Sequence, residues 1–146
     1  MERTIIGVEA MYMHAADFVR TLECGRRATV VALHGDLGAG EATFVQGAAR
    51  ALGVNESVTS PTFVIQKIYP LQRQVFERLI HIDAYRLKDA HELEVLNWSE
   101  TLRDPANLIF IEWPERVEGT LPKDAVRLKF RFVDEQTRCI EAEQCA

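Results

Sequence analysis

The sequence has few cysteines and no long apolar segment, and each shortage excludes a class of protein. Its three cysteines, Cys24, Cys139 and Cys145, are too few and too irregularly spaced for a disulfide framework or a CxxC zinc site, so we expect ordinary reduced thiols. No apolar run approaches the roughly 18 residues of a membrane helix. The residues after Met1 also lack the basic and then apolar pattern of a secretory signal. These absences predict a cytoplasmic protein without a membrane segment.

The chain also lacks an excess of positive charge. It has 17 Lys and Arg residues against 22 Asp and Glu, which gives a net charge of -5. A protein that binds nucleic acid directly and strongly usually presents a broad basic surface, and this composition does not predict one, although a local basic patch stays open. With 146 residues, 47% of them hydrophobic, the chain is predicted to form one domain over residues 1–146.

Strand-like and helix-like segments alternate along the chain. Apolar spacing, β-branched runs and Gly or Asp punctuation predict strands over Thr4–Val8, Ala28–His34, Val64–Tyr69, Val75–Asp83, Leu108–Glu112, Ala125–Val133 and Thr137–Ala142, and helices over Ala15–Cys24, Thr43–Leu52 and Asp89–Leu96. This order predicts an α/β fold with a mostly parallel central sheet, helices on both faces and antiparallel additions, the last two strands forming a hairpin.

A glycine-rich loop is predicted between the second strand and the second helix. The segment Gly35-Asp36-Leu37-Gly38-Ala39-Gly40 has the G-x-x-x-x-G spacing of a phosphate-binding P-loop. In such a loop, successive backbone N–H groups and the positive end of the helix dipole face an anion. The pattern therefore favours a P-loop nucleotide-binding fold, and a glycine turn that binds no ligand is the alternative.

The two residues after this loop depart from a working P-loop. Lys normally neutralises phosphate charge there and Ser or Thr holds magnesium, but this chain has Glu41 and Ala42. Glu41 would repel phosphate, and Ala42 has no group that can bind a metal. Thr43 has a hydroxyl, but one helical residue turns its side chain by about 100° away from the required direction. We therefore expect weakened ATP·Mg²⁺ binding and strongly reduced or absent hydrolysis.

Four segments of the sequence together resemble the TsaE family, formerly YjeE. They are Gly35–Thr43 for the family's GDLGAGKTT, Ser60–Phe63 for its SPTF/SPTY switch, His81–Leu87 for its HxDxYRL and Ile111–Glu115 for its IEWPE. Their order and spacing cover most of the chain from about residue 28 to residue 118. The resemblance implies a P-loop ATPase that binds ATP or ADP and Mg²⁺.

The resemblance also implies roles for single residues. Asp83 takes the acidic position that orients water or metal beside the γ-phosphate, and Glu112 takes the position that helps to bind magnesium. Without the resemblance, an Asp after an apolar strand, such as Asp83, is more often a loop cap, and Glu112 would be an exposed charge at a strand end. Thr62 corresponds to the switch threonine, and the alternative is that it only follows the rigid turn made by Pro61.

Aromatic residues near these carboxylates are further candidates. Trp113 follows the second acidic position and is a candidate for nucleotide contact, with core packing as the alternative. We expect His81 and Tyr85 to brace the turn at Asp83. No histidine has a partner at a spacing that indicates a metal site.

The resemblance implies a set of partners. In the family, TsaE docks on the TsaB–TsaD pair, which transfers a threonylcarbamoyl group to the adenosine next to the tRNA anticodon. TsaC supplies the adenylate donor, and the ATP cycle of TsaE resets the pair, so tRNA is met only indirectly. Two alternatives stay open: a non-catalytic paralogue that binds the partners without an ATP cycle, and an unrelated P-loop kinase, which would need the missing lysine.

Overall fold

A computed structural model of the chain describes residues 2–35, 39–54, 66–72, 74–87 and 90–144. The strands within these ranges are β1 (Glu2–Ile6), β2 (Thr29–Gly35), β3 (Gln66–Pro70), β4 (Arg78–Asp83), β5 (Asn107–Glu112), β6 (Val126–Phe132) and β7 (Thr137–Gln144). The α-helices are α1 (Val8–Arg20), α2 (Glu41–Ala51), α3 (Ala90–Glu94) and α4 (Trp98–Arg103). Two short 3-10 helices cover Ala84–Arg86 and Pro114–Thr120.

The strands form one sheet in the order β1-β7-β6-β2-β5-β4-β3. Its centre, β6-β2-β5-β4, is parallel, whereas β7, β1 and β3 are added antiparallel. Central parallel strands are buried on both faces, and β5 accordingly has all its residues buried. The predicted α/β class, the parallel centre and the antiparallel hairpin are confirmed.

Alternate residues of the central strands enter two separate cores. Val31 and Leu33 of β2 pack with Phe44 of α2 and with α1, whereas Val30 and Ala32 pack with Trp98 of α4 and with α3. Since successive side chains of a strand point to opposite faces, helices lie on both faces of the sheet, as predicted.

The first helix was only partly predicted. The expected helix Ala15–Cys24 is α1, Val8–Arg20, and its first turn includes a hydrogen bond from the Met11 amide to the Gly7 carbonyl at 3.2 Å. The helix buries Met11, Ala15 and Val19, a stripe with the spacing of one helix face. The large apolar residues near the C-terminal end predict only the second half of this helix, whereas the stripe begins at Met11. Val8 is therefore helical and not the end of a strand.

Two other short elements were not predicted at all. These are α4, which buries Trp98, and the 3-10 helix Pro114–Thr120, which buries Val117. Both are too short to show helical periodicity, and the fold positions them through contacts across the chain, as in the hydrogen bond from the Trp98 indole N–H to the Thr120 carbonyl at 3.2 Å. The remaining predicted elements are present with shifted ends. The expected helix cap, Asp89, lies outside the described residues.

Two of the cysteines fall within the described residues. Cys24 is an exposed thiol and Cys139 a buried thiol in β7, and both are free, as expected. Cys145 lies outside the described residues. None of the helices described is long and apolar enough to cross a membrane.

Close contact between α1 and α2 depends on a glycine. A Cβ atom on Gly47 would lie 2.8 Å from the Tyr12 Cα and 3.1 Å from the Ala15 Cβ. The helix backbones are therefore too close for any larger residue at this position.

We expect Gly47→Ala to lower the free energy of unfolding by about 1–2 kcal/mol in net, because moving backbone atoms of α1 loses about 2–3 kcal/mol of packing. This loss exceeds the roughly 1 kcal/mol that alanine gains over glycine in a helix. Gly119→Ala is the control, since no atom lies within 4 Å of its new Cβ. Denaturant unfolding of both variants measures the difference. Equal stability of Gly47→Ala and the parent chain would contradict the packing described.

Candidate functional site

Parallel pairing brings three strand ends to one edge of the sheet. β2 pairs with β5 and β5 with β4, so that Leu33 lies opposite Glu112, and Glu112 opposite Asp83. The odd-numbered residues of β4, and the even-numbered residues of β5, face α1 and α2. Asp83 and Glu112 therefore share this face and edge with Gly35, the last residue of β2.

The glycine-rich loop connects this edge to α2. Gly35 ends β2, the Gly40 backbone is left-handed with φ of 106°, and the helix begins at Glu41. The Phe44 amide donates to the Gly40 carbonyl at 2.9 Å, and Ala39 is fully buried. The predicted strand, loop and helix order is present. Asp36, Leu37 and Gly38 lie outside the described residues.

Glu41 folds back over the end of β2. Glu41 is only 8% exposed. Its carboxyl carbon lies 3.2 Å from the position that a Cβ atom on Gly35 would occupy. A carboxylate in the first turn of a helix interacts favourably with the helix dipole. The negative group therefore occupies the N-terminal end of α2, where the partial positive charge would otherwise attract an anion.

The next two positions add no metal ligand in the expected place. Ala42 is partly buried and carries only a methyl group. Thr43 lines a cavity of about 170 Å³ beside the N-terminal end of α1. The other lining residues include Gly7, Val8, Gly40 and Arg138. Thr43 therefore lines the cavity between the start of α1 and the terminal hairpin.

Asp83 caps the turn that follows β4. Its Oδ1 accepts a hydrogen bond from the Tyr85 amide at 3.0 Å, at the start of the 3-10 helix Ala84–Arg86. The loop-cap role considered from the sequence is present. It coexists with a position at the sheet edge beside Glu112, so the catalytic role stays a prediction.

Glu112 is a buried strand-end residue and not the exposed charge of the alternative interpretation. It is 7% exposed, and its Oε2 lies 2.6 Å from Nε2 of His81, which is 1% exposed. His81 was expected to brace the turn at Asp83, but its recorded hydrogen bond goes to the neighbouring strand. The available signal was that His81 and Glu112 lie on adjacent parallel strands and share a face.

The aromatic residues join the two turns that follow the carboxylates. The rings of Tyr85 and Trp113 have centroids 5.1 Å apart, and the Arg116 guanidinium lies 5.4 Å from the centre of the Tyr85 ring. Trp113 is partly buried against the core that contains Trp98. Packing is thus the contact observed for Trp113, and a nucleotide contact stays a prediction. The predicted switch residue, Thr62, lies outside the described residues.

Comparison with known sequences identifies the family. The profile of the family described as "Threonylcarbamoyl adenosine biosynthesis protein TsaE" matches residues 8–140. The chain is 40% identical over 105 residues to the tRNA threonylcarbamoyladenosine biosynthesis protein TsaE of Streptomyces coelicolor, covering 71% of this chain and 69% of that protein. It is 34% identical over 119 residues to the protein of the same name from Treponema pallidum, covering 82% of each. The chain belongs to the TsaE family.

The fold of this TsaE chain also matches a solved structure. The crystal structure of YdiB from Bacillus subtilis superposes with a TM-score of 0.79 at 25% identity, covering 100% of this chain and 86% of that one. The family assignment from residue motifs is therefore confirmed, and the chain belongs to a family of tRNA threonylcarbamoyladenosine biosynthesis.

A polar network missed from the sequence ties the loop to the second acidic turn of this TsaE chain. His34, just before the loop, has Nδ1 2.8 Å from Oε1 of Glu115 and Nε2 3.2 Å from the Arg127 guanidinium. Arg127 also pairs with Glu118. Because Arg127 can only donate, His34 Nε2 accepts, and Nδ1–H donates to Glu115. The network connects β2, β6 and the 3-10 helix Pro114–Thr120.

The residues present fit a magnesium ion better than they fit a triphosphate. Mg²⁺ is usually bound by one or two carboxylates together with phosphates and water, and Asp83 and Glu112 supply two carboxylates at the sheet edge. Within the described ranges, no group of three His, Cys, Asp or Glu side chains is placed to hold a metal on its own. At the lysine position, a buried carboxylate does not fit a phosphate.

We expect Tyr85→Ala to loosen Trp113, because it removes an aromatic pair worth about 0.5–1.5 kcal/mol. The check is acrylamide quenching of tryptophan fluorescence, which should increase in the variant. Trp98, 1% exposed, is shielded and contributes little to the change. Val95→Ala, at a residue 71% exposed, is the control. Unchanged quenching in Tyr85→Ala would show that Tyr85 does not hold Trp113 in place.

Proposed function

We propose that this chain is a TsaE-type component of tRNA threonylcarbamoyladenosine synthesis that docks on TsaB–TsaD in the cytoplasm, with an ATP site impaired at Glu41 and Ala42. The observation that carries the proposal is a complete acidic edge, Asp83 beside Glu112, next to a loop helix that begins with a buried carboxylate. The ligands are ATP or ADP and Mg²⁺. TsaC is linked through the donor that it makes, and tRNA is met through the partners.

The impairment follows from charge at the loop. A single pair of like charges about 4 Å apart repels by roughly 4 kcal/mol at the effective dielectric constant typical of protein surfaces. The exchange of lysine for Glu41 both removes an attraction and adds this repulsion. Ala42 further removes the hydroxyl that holds Mg²⁺ in other P-loops. ATP·Mg²⁺ binding should therefore be weaker by orders of magnitude, with hydrolysis reduced or absent.

The backbone supports a residual interaction with phosphate. The left-handed Gly40 and the N-terminal end of α2 are retained, and amides at a helix N-terminus attract anions without help from side chains. A diphosphate carries less negative charge than a triphosphate, and the position of Glu41 mainly opposes the outer phosphates. Weak ADP binding is thus compatible with weak ATP binding.

Two further features support an indirect encounter with tRNA. The net charge of -5 gives no broad attraction to a phosphate backbone. Several basic side chains of the described residues are already paired with carboxylates, including Arg27 with Asp124 and Arg127 with Glu118. RNA contact is therefore assigned to the partner proteins.

A non-catalytic paralogue is the second candidate function. The observation that favours it is that Glu41 is buried and placed favourably at the helix dipole, an arrangement that stabilises the loop without nucleotide. Such a paralogue would bind TsaB–TsaD equally well with and without nucleotide. A component with a dormant ATP site would instead regain nucleotide dependence when the loop is restored.

We expect the double substitution Glu41→Lys with Ala42→Thr to increase ATP·Mg²⁺ affinity by at least about 100-fold, since even 2.7 kcal/mol of the recovered charge interaction corresponds to that factor. Isothermal titration calorimetry with the unchanged and restored chains measures the gain. Glu41→Gln with Ala42 unchanged separates removal of the repulsion from recovery of lysine, and should give an intermediate affinity.

Glu100→Gln is the matched control, because it neutralises an exposed carboxylate on α4, which packs on the opposite face of the sheet from α2. Its ATP affinity should stay close to that of the unchanged chain. The impaired-site proposal fails if the unchanged chain already binds ATP·Mg²⁺ as tightly as the restored chain.

A further inference from the structure

We propose that His81 is a positioning residue that orients the Glu112 carboxylate toward a divalent cation beside the phosphate loop. This inference rests on the proposed nucleotide site. His81 is the histidine that hydrogen-bonds to Glu112. The sequence predicts instead that His81 braces the turn at Asp83.

The geometry shows that Glu112 reaches back along the sheet. In the parallel register of β4 and β5, the partner of Glu112 is Asp83, and the partner of His81 is Phe110. The 2.6 Å contact from His81 Nε2 to Glu112 Oε2 therefore crosses diagonally between the strands. Oε2 of the carboxylate is thereby engaged by His81, and the proposal assigns Oε1 to the cation.

Hydrogen-bond chemistry fixes which atom donates. The carboxylate accepts, so Nε2 carries the hydrogen and donates it to Oε2. The other ring nitrogen, Nδ1, is buried and has no hydrogen-bond partner within the described part of the chain. All the polar contact of this ring is thus directed at Glu112, which suits a residue whose function is to hold that carboxylate.

Burial makes the orientation rigid. His81 is 1% exposed and Glu112 7% exposed, so water does not compete freely for the shared hydrogen bond. Partners of metal-binding side chains usually fix the direction and basicity of the ligand, and their loss typically weakens metal affinity about 10- to 100-fold. A buried pair that merely stabilised the fold would lower stability when changed and would leave metal dependence unaffected.

The first experiment uses the chain as it is, without ligand. NMR of selectively labelled protein follows the Nε2-bound proton of His81 in the parent chain. It also follows the carboxyl carbon of Glu112 in the parent, His81→Gln and His81→Leu. Glutamine can present an N–H near the position of Nε2, whereas leucine cannot. We expect the Glu112 carboxyl resonance to shift in His81→Leu and to stay near the parent value in His81→Gln. An unchanged resonance in His81→Leu would overturn the positioning role.

The second experiment measures Mg²⁺ dependence in the chain with Glu41→Lys and Ala42→Thr. ADP binding is measured over a series of Mg²⁺ concentrations, and the ADP affinity is measured separately in the absence of Mg²⁺. We expect His81→Leu to raise the Mg²⁺ midpoint about 10-fold, with ADP affinity in the absence of Mg²⁺ unchanged. His81→Gln should recover most of the loss. Ile80→Val, a buried change on the opposite face of β4, controls for general loss of packing.

A double-mutant cycle separates positioning from a structural effect. If His81 acts through Glu112, His81→Leu should add no further shift of the Mg²⁺ midpoint in a Glu112→Gln background. The inference would be overturned if the two changes raised the Mg²⁺ midpoint by factors that multiply, or if His81→Leu alone left the midpoint unshifted. Absence of Mg²⁺-dependent ADP binding in the restored chain with His81 intact would instead reject the proposed nucleotide site, and the ligand-free NMR comparison would still decide whether His81 orients Glu112.

Discussion

The parallel pairing of β2, β5 and β4 is the constraint on which the site depends. Parallel strands end at a common edge, and here the register places Gly35, Glu112 and Asp83 at that edge although they are distant in sequence. Side-chain alternation then directs both carboxylates to the face covered by α1 and α2. The same pairing buries the strands on both faces, so the core that stabilises the fold also sets the geometry of the edge.

A carboxylate at the start of α2 affects the stability of the helix and the binding of an anion in opposite directions. A carboxylate at the first helical position is favourable for an empty α2, because the helix dipole attracts it. The same charge repels the anion for which a glycine-rich loop is shaped. Glu41 thus places a buried carboxylate at the start of α2, whereas Asp83 and Glu112 bring two further carboxylates to the sheet edge. In sequence, the departure from the family's GDLGAGKTT pattern is confined to Glu41 and Ala42.

Most of the fold was predictable because its signals are local. The buried run of β2, the glycines after it and the alternating terminal hairpin each lie within a few residues of one another. The predictions failed for elements whose position is determined by contacts between residues distant in sequence. Short α4 depends on Trp98 and its contact with Thr120, and α1 begins at Val8 because Met11 and Ala15 pack against α2. The family motifs identified Glu112, but only the structure shows its diagonal hydrogen bond with His81 across β4 and β5.

The central claim is that the defect is local to Glu41 and Ala42 on an otherwise competent TsaE scaffold. Reconstitution with TsaB, TsaD, TsaC and tRNA tests it most directly, by measuring repeated rounds of threonylcarbamoyladenosine formation with the unchanged and loop-restored chains. The account predicts that both chains associate with TsaB–TsaD, and that only Glu41→Lys with Ala42→Thr supports ATP-dependent multiple turnover. Equal turnover by the unchanged chain, or none by a restored chain that binds both ATP·Mg²⁺ and its partners, would contradict it.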